Sequence, residues 1–199
     1  MMTYMKICKV LEKELLKKIK IKAKEYGYKC SSYALYKKEN EKLIVVYFMF
    51  VNSEKLLYRA NVKPWIYDDI FWKIMKMEEN KNEKESIRVN GAFAAPVIFI
   101  EKKEIELSED IDSIVECFIE KMTGIISDFL KENTLSDYVF KHNEIMDASI
   151  LQCLSHIENG DMEKAIKLAE EEISKGNKGR FINQGKGFFE LLKNYYDTI

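Results

Sequence analysis

The chain contains few of the residues that interrupt regular structure. Of its 199 residues, 2 are proline and 8 are glycine. Hydrophobic residues make up 47% of the chain, which is enough to build a core and too much for a disordered protein. The sequence therefore predicts a folded protein with short connections and without long coil linkers.

Long hydrophobic runs are also missing. The longest apolar run, Leu43–Val51, has nine residues, less than half of the roughly 20 that a membrane-spanning helix needs. The first ten residues already carry charge, and they contain no continuous apolar segment of the kind found in a secretory signal. We therefore expect a cytoplasmic protein that does not enter a membrane.

Histidine and cysteine are scarce and dispersed, which bears on metal binding and on nucleophilic catalysis. The cysteines lie far apart among apolar neighbours, as buried thiols in a reducing compartment do: Cys8, Cys30, Cys117 and Cys153. Of the two histidines, His142 and His156, only His156 follows a cysteine at helical spacing. This set is too small for a metal site and matches no nucleophile signature, so we expect no metal, no cofactor and no catalytic residue.

The order of hydrophobic patterns predicts an α+β fold. It has an N-terminal helix, a mostly antiparallel sheet of about five strands, a long helix and a C-terminal helical hairpin. The predicted helices cover residues 4–26, 66–78, 111–130, 146–158, 162–174 and 187–196. The predicted strands cover residues 28–37, 42–51, 56–63, 86–90 and 96–107. We expect residues 1–140 to form an α+β domain, with residues 141–199 as a helical appendage packed on it.

The second half of the chain contains one recognisable short pattern. Leu151, Leu154 and Ile157 are followed by Gly160-Asp161, and then by Ala165, Leu168 and Ala169. This segment of about thirty residues resembles one tetratricopeptide-type helical hairpin, with the glycine in the turn and Ala165 at the close approach of the helices. Because a solenoid needs about three repeats or more, the resemblance implies a single docked hairpin. The order of elements also resembles uncharacterised bacterial α+β domains, some of them proposed to be immunity proteins that neutralise a partner toxin.

Charge is distributed unevenly along the chain. Residues 1–38 hold 11 lysines and 3 glutamates, whereas residues 101–172 hold 7 basic and 19 acidic residues. The lysines of the first helix repeat every three or four residues along one face, opposite its apolar stripe: Lys6, Lys9, Lys13, Lys17, Lys20 and Lys24.

This lysine ridge has three interpretations. It can be a solvated helix face, a docking surface for an acidic protein or a nucleic acid, or one half of an internal fit with the acidic helices. The lack of arginine and of interleaved aromatic residues disfavours nucleic acid without excluding it.

A second candidate lies around the two tryptophans of the chain, Trp65 and Trp72. Aromatic residues at helical spacing are typical of a core. Alternatively, Trp65 with Arg59 and Asp68 could form a binding hot spot, or the polar anchors of a pocket between the sheet and the aromatic helix.

The glycine-rich basic segment 176–187 precedes a helix and contains Lys186, so it is a weaker candidate for holding a phosphate. Its spacing does not match a P-loop, and a flexible loop explains it as well.

Taken together, these patterns favour a non-enzymatic protein-interaction module, immunity-like or regulatory, with a protein partner. The binding residues we expect are Arg59, Trp65, Asp68 and Trp72, together with Lys13, Lys17, Lys20 and Lys24. The alternatives are a small-ligand binder or enzyme with a pocket beside the aromatic helix, and a nucleic-acid binder that uses the lysine ridge.

Overall fold

The computed structural model describes residues 4–52, 54–108 and 110–196, with side chains from residue 10 to residue 195. The side chains of Lys6 and Lys9, which belong to the predicted lysine ridge, lie outside this part. The chain has the predicted α+β fold, with an N-terminal helix, a five-stranded antiparallel sheet, a long helix and a helical C-terminal segment. Within the described residues, no helix combines the length and apolar character that a membrane crossing requires.

The strands and helices have the following bounds. The strands are β1 Lys29–Ser31, β2 Ala34–Glu39, β3 Lys42–Val51, β4 Lys55–Pro64, β5 Ile98–Glu106, β6 Ile182–Asn183 and β7 Lys186–Gly187. The helices are α1 Tyr4–Glu25, α2 Ile66–Ile74, α3 Ile87–Asn90, α4 Ile111–Glu132, α5 Leu135–Lys141, α6 Ala148–Glu158, α7 Met162–Ser174 and α8 Phe188–Tyr196, with a 3-10 helix at Glu78–Asn82.

The five-stranded sheet is a meander in the order β1-β2-β3-β4-β5. Its turns follow from local sequence. Asn40 and Glu41 connect β2 to β3 with φ of 47° and 56°, the left-handed pair that a two-residue hairpin with native twist requires. Ser32, with φ of 53°, divides the expected strand 28–37 into β1 and β2. Gly27 has φ of 78° and follows α1 as its left-handed C-terminal cap.

The chain forms two compact units, of which the first comprises Met1–Val62 and Phe99–Glu132. In this unit α1 packs on α4 and β1. Its apolar stripe is buried at Leu15, Ile19 and Ala23, as the sequence pattern predicts. The Phe118 ring of α4 lies 5.1 Å from the ring of Tyr58 on β4, so α4 covers one face of the sheet.

The second unit comprises Lys63–Ile98 and Asn133–Ile199. Here α6 packs against α2, α5 and α7, and α7 packs against α8. Gly160, with φ of 81°, forms the turn between α6 and α7, and Ala165 is fully buried at their contact. The ring of Phe71 on α2 stacks on Phe188 of α8 at 5.5 Å.

Two local predictions are wrong. Residues 86–90, expected as a strand, contain the short helix α3, because Asn90 donates its N–H to the Ser86 carbonyl and Arg88 is drawn into a buried cluster. The polar stretch before residue 146 contains α5, which begins after Thr134, whose hydroxyl accepts from the Asp137 N–H. The proposed division of the chain at residue 140 stays a prediction.

Candidate functional site

The lysines of α1 fall into two sets that differ in their partners. Lys18 lies 2.6 Å from Asp112 in the first turn of α4, and Lys22 lies 3.1 Å from Glu25. The hydrogen bond from Lys18 to Asp112 raises the pKa of Lys18, and the bond to Glu25 does the same for the pKa of Lys22. Lys18 is thus paired with a carboxylate of α4 and Lys22 with a carboxylate of α1 itself, and neither lysine belongs to the predicted lysine ridge.

The lysine ridge is different. The side chains of Lys13, Lys17 and Lys24 are exposed and that of Lys20 is half-buried. None of these four lysines forms an ion pair with any residue in the described part of the chain. At a rise of 1.5 Å per residue, they span about 16 Å of the helix surface. The ridge is thus a row of unneutralised positive charges on a rigid element.

The aromatic segment forms a buried cluster centred on Arg88, a residue that the sequence analysis did not select. The guanidinium lies 4.2 Å from the centroid of the Trp65 ring and 4.7 Å from that of Trp72. It also donates to the Asp69 carboxylate at 2.7 Å and to the Trp65 carbonyl at 3.2 Å. The guanidinium also lies 3.6 Å from the Asp68 carboxylate, so three of the predicted site residues, Trp65, Asp68 and Trp72, meet around one cation.

Lys63 is the second cation of this cluster, and it is fully buried. Its ammonium donates to Asp68 at 2.7 Å, to the Ala95 carbonyl at 2.9 Å and to the Arg88 carbonyl at 3.1 Å. Burial lowers the pKa of Lys63, and the adjacent Asp68 opposes that effect. Each of the three N–H groups of the ammonium donates to an acceptor inside the fold, so none is left to bind a substrate.

The same Asp68 oxygen also accepts from the Ala95 N–H at 2.8 Å, and the Trp72 indole donates to the Phe93 carbonyl at 2.7 Å. These bonds attach the segment around residues 93–95 to α2. Asp68 and Trp72 are completely buried and Trp65 is half-buried. The cluster therefore acts as an internal framework of the second unit. No signal in the sequence pairs Lys63 with residues 25 and 32 positions further on.

Arg59 belongs to the first unit and is exposed on β4. Its guanidinium lies 5.0 Å from the centroid of the Phe99 ring on β5. Burial alternates in the first half of β4, where Leu56, Tyr58 and Ala60 are buried on the face opposite Arg59, whereas Asn61 and Lys63, on the same face as Arg59, are buried as well.

The glycine-rich segment forms the small hairpin β6–β7 in front of α8. At the helix start, the Gly187 N–H donates to the Glu190 carboxylate at 2.8 Å, and this bond lowers the pKa of Glu190. A Cβ at position 187 would lie 2.0 Å from the Lys178 carbonyl oxygen, which explains the glycine there. The Glu190 carboxylate therefore accepts the Gly187 N–H hydrogen bond that a phosphate at this helix start would accept.

The side chains of Cys153 and His156 make packing contacts within the fold. The Cys153 thiol is buried against the Ala165 carbonyl at 3.6 Å, and the His156 ring packs on Phe140. Among the described residues, no three His, Cys, Asp or Glu side chains are grouped as they would be in a metal site.

Comparison of the chain with family models, with curated proteins and with solved structures returns no match. Among the binding residues predicted from sequence, four are exposed to solvent and Lys20 is half-buried. The exposed ones are Lys13, Lys17, Lys24 and Arg59. The tryptophan and aspartate candidates are used inside the fold.

Proposed function

We propose that this chain is a non-enzymatic protein-interaction module that binds an acidic protein surface through the lysine ridge Lys13, Lys17, Lys20 and Lys24. One observation carries the proposal. On a single helix, Lys18 and Lys22 are neutralised by carboxylates, while the ridge lysines have no acidic partner in the described chain.

Four like charges within about 16 Å repel one another, and a partner with complementary charge relieves that repulsion. Such a surface accelerates encounter and rejects partners with the wrong charge, which suits a protein that must find one target quickly. Lysine is a flexible point charge and needs no fixed planar geometry, so a row of lysines fits irregularly spaced carboxylates. The supporting helix is rigid because its other face is buried at Leu15, Ile19 and Ala23.

On the resemblance to immunity-like bacterial domains, we propose that the module neutralises or regulates one acidic partner in the cytoplasm. The free thiols of Cys30, Cys117 and Cys153 are consistent with that reducing compartment. The single helical hairpin of α6 and α7 would then be a docked part of the domain and not an array.

A charge-reversal experiment tests this proposal. The ridge variant carries Lys13→Glu, Lys17→Glu, Lys20→Glu and Lys24→Glu. The matched control carries the same change at four exposed lysines outside α1: Lys76→Glu, Lys81→Glu, Lys84→Glu and Lys102→Glu. Both variants have the same net charge, so a non-specific charge effect would appear in both.

Each protein is immobilised and exposed to lysate of its source cells, with and without nuclease treatment, and retained proteins are identified by mass spectrometry. We expect one acidic protein to be retained by the wild type and the control, and to be lost from the ridge variant. Retention should also fall as salt rises from about 50 to 500 mM, because screening shortens the range of these charges. Equal retention by both variants would contradict the proposal, as would binding that disappears on nuclease treatment.

A further inference from the structure

A cleft of about 350 Å³ lies in the first unit, between the β2–β3 hairpin and the second half of α4. This volume is at the lower end of the range for small-molecule sites. The hairpin contributes Lys37 and Lys42, and the helix contributes Thr123, Ile126 and Lys131. The cleft shares no residue with the lysine ridge.

The lining has a positive excess. Three lysines face one carboxylate, that of Glu39. Glu39 lies directly opposite Lys42 in the hairpin register, yet its carboxylate pairs with Lys37 at 2.6 Å. Lys131 pairs with Asp128 at 3.3 Å, and both of those side chains are more than two-thirds exposed, so the pair is weak. In the described chain, Lys42 has no acidic partner.

The floor of the cleft is apolar and aromatic. Ile44 and Ile126 are almost fully buried, and Tyr28 places its ring under the Lys37 ammonium at 4.9 Å from the ring centroid. Leu130, which is half-buried in the same lining, adds apolar surface that a ligand can cover. The floor therefore favours a ligand with a compact apolar body.

Thr123 adds a polar group with an unmet requirement. It lines the cleft, and its hydroxyl oxygen is buried without any hydrogen-bond partner among the described residues. Buried hydroxyls in native proteins nearly always have a partner, and a polar group entering the cleft from this side would supply one. Ser127, one helical turn further on, supplies a second hydroxyl to the same lining.

We propose that this cleft binds a small phosphomonoester, with its phosphate held by Lys42, Lys37 and Lys131 and its apolar body on the floor formed by Tyr28, Ile44 and Ile126. The excess of two positive charges in the lining matches the near-dianionic phosphate at neutral pH. Thr123 and Ser127 are placed to hydrogen-bond the ligand. This site is independent of the proposed protein-interaction function.

Phenyl phosphate is a suitable probe, because it joins a phosphate to a compact aromatic body. Its binding to the full chain is followed by isothermal titration calorimetry, beside phenol and inorganic phosphate. We expect phenyl phosphate to bind saturably, and each half of the probe to bind at least about tenfold more weakly. If phenyl phosphate shows no saturable binding up to about 10 mM, or if inorganic phosphate binds equally well, the proposal is wrong.

Two variants locate the site. Lys42→Gln should weaken phenyl phosphate binding by about tenfold or more, because it removes a charge-assisted contact. The matched control Lys102→Gln, at an exposed lysine of β5 outside the cleft, should leave binding unchanged. An equal effect of both variants would show that the probe responds only to overall charge, and would overturn the assignment.

Thr123→Val separates a binding role from a structural one. It removes an unpartnered buried hydroxyl at constant shape, so the urea midpoint of unfolding should stay the same or rise. Binding of phenyl phosphate should weaken several-fold in the same variant. Unchanged binding would remove Thr123 from the site, and a lower midpoint would assign its hydroxyl a structural role in place of the proposed one.

Discussion

The ammonium of Lys63 lies 2.7 Å from the carboxylate of Asp68, and neither side chain is exposed to solvent. Lys63 is near the end of β4 and Asp68 is in the first turn of α2, so the pair spans the Pro64–Trp65 connection. Breaking a buried ion pair is costly because the remaining charge stays in a poorly solvated site. Loss of either charge of this pair is therefore expected to destabilise the second unit.

The first prediction concerns Asp68→Asn. The amide retains an oxygen that can accept from the Ala95 N–H, but Lys63 loses its counter-charge. We expect the free energy of unfolding to fall by about 3–5 kcal/mol. Urea denaturation followed by circular dichroism measures this loss. Asp128→Asn, at an exposed ion pair with Lys131, is the control and should not shift the curve measurably.

A double variant tests whether the loss arises from the isolated charge. Adding Lys63→Met to Asp68→Asn removes the buried ammonium while keeping most of its volume. We expect the double variant to be more stable than Asp68→Asn alone, since no uncompensated charge remains. Additive losses from the two substitutions would show that the pair is not coupled.

Glycine substitutions should have opposite effects at two positions. Gly160 has φ of 81°, whereas Gly124 lies within α4, and an added Cβ would meet nothing within 4 Å at either site. Gly160→Ala should lower the free energy of unfolding by about 1 kcal/mol because of backbone strain alone. Gly124→Ala should raise it by about 0.5–1 kcal/mol because alanine favours the helix. The two urea midpoints, compared with the wild type, test both signs.

The pH dependence of stability should include a contribution from His156. Burial, assisted by the positive charge of Lys164, lowers the pKa of His156 below its ordinary value of 6.5. Between the folded pKa and 6.5, the unfolded chain binds more protons than the folded chain, so the free energy of unfolding falls as pH decreases through this interval.

An NMR titration of the His156 ring protons measures the shift directly, and we expect a midpoint below 6.5. Lys164→Gln should move the midpoint upward, because it removes a neighbouring positive charge. His156→Gln should remove this part of the pH dependence in urea unfolding. A midpoint at or above the ordinary histidine value in the wild type would contradict the burial argument.

The packing of α6 on α7 gives a fourth prediction. Ala165 is fully buried and its carbonyl accepts from the Cys153 thiol, so the helices have no room for a larger side chain here. Ala165→Leu should destabilise the protein by about 1–3 kcal/mol through overpacking. Lys167→Leu, at an exposed position of the same helix, controls for helix propensity and should have a much smaller effect. Thermal unfolding followed by circular dichroism compares the two.

The sequence predicts the long elements well and the short ones poorly. The bounds of α7 agree with those expected, because thirteen residues of helical spacing separate a helix from a strand unambiguously. The segment 86–90 is too short for that distinction, since one polar-apolar alternation fits either a strand or a single helical turn. Its conformation is decided by Arg88, whose partners Trp65 and Asp69 are about twenty residues away.

The same limit applies to the candidate sites. The lysine ridge is visible in the sequence because its spacing is local. Lys18 has an acidic partner and Lys17 does not, because Asp112, which is 94 residues beyond Lys18 in the chain, lies beside Lys18 in the fold. Likewise, the cleft beside Lys42 forms only when α4 packs across the hairpin, so nothing in either segment alone indicates it.

The two compact units are interleaved along the chain, and this has a consequence for biosynthesis. The segment Phe99–Glu132 completes the first unit, but the ribosome produces it only after Lys63–Ile98, which belongs to the second. During synthesis, α1 and the β1–β4 meander therefore remain without β5 and α4 while Lys63–Ile98 of the second unit emerges. Domains usually fold in order as they leave the ribosome. Here the nascent chain must leave apolar residues such as Phe48 and Tyr58 uncovered until α4 emerges, so chaperone demand should be greatest before α4 has left the ribosome.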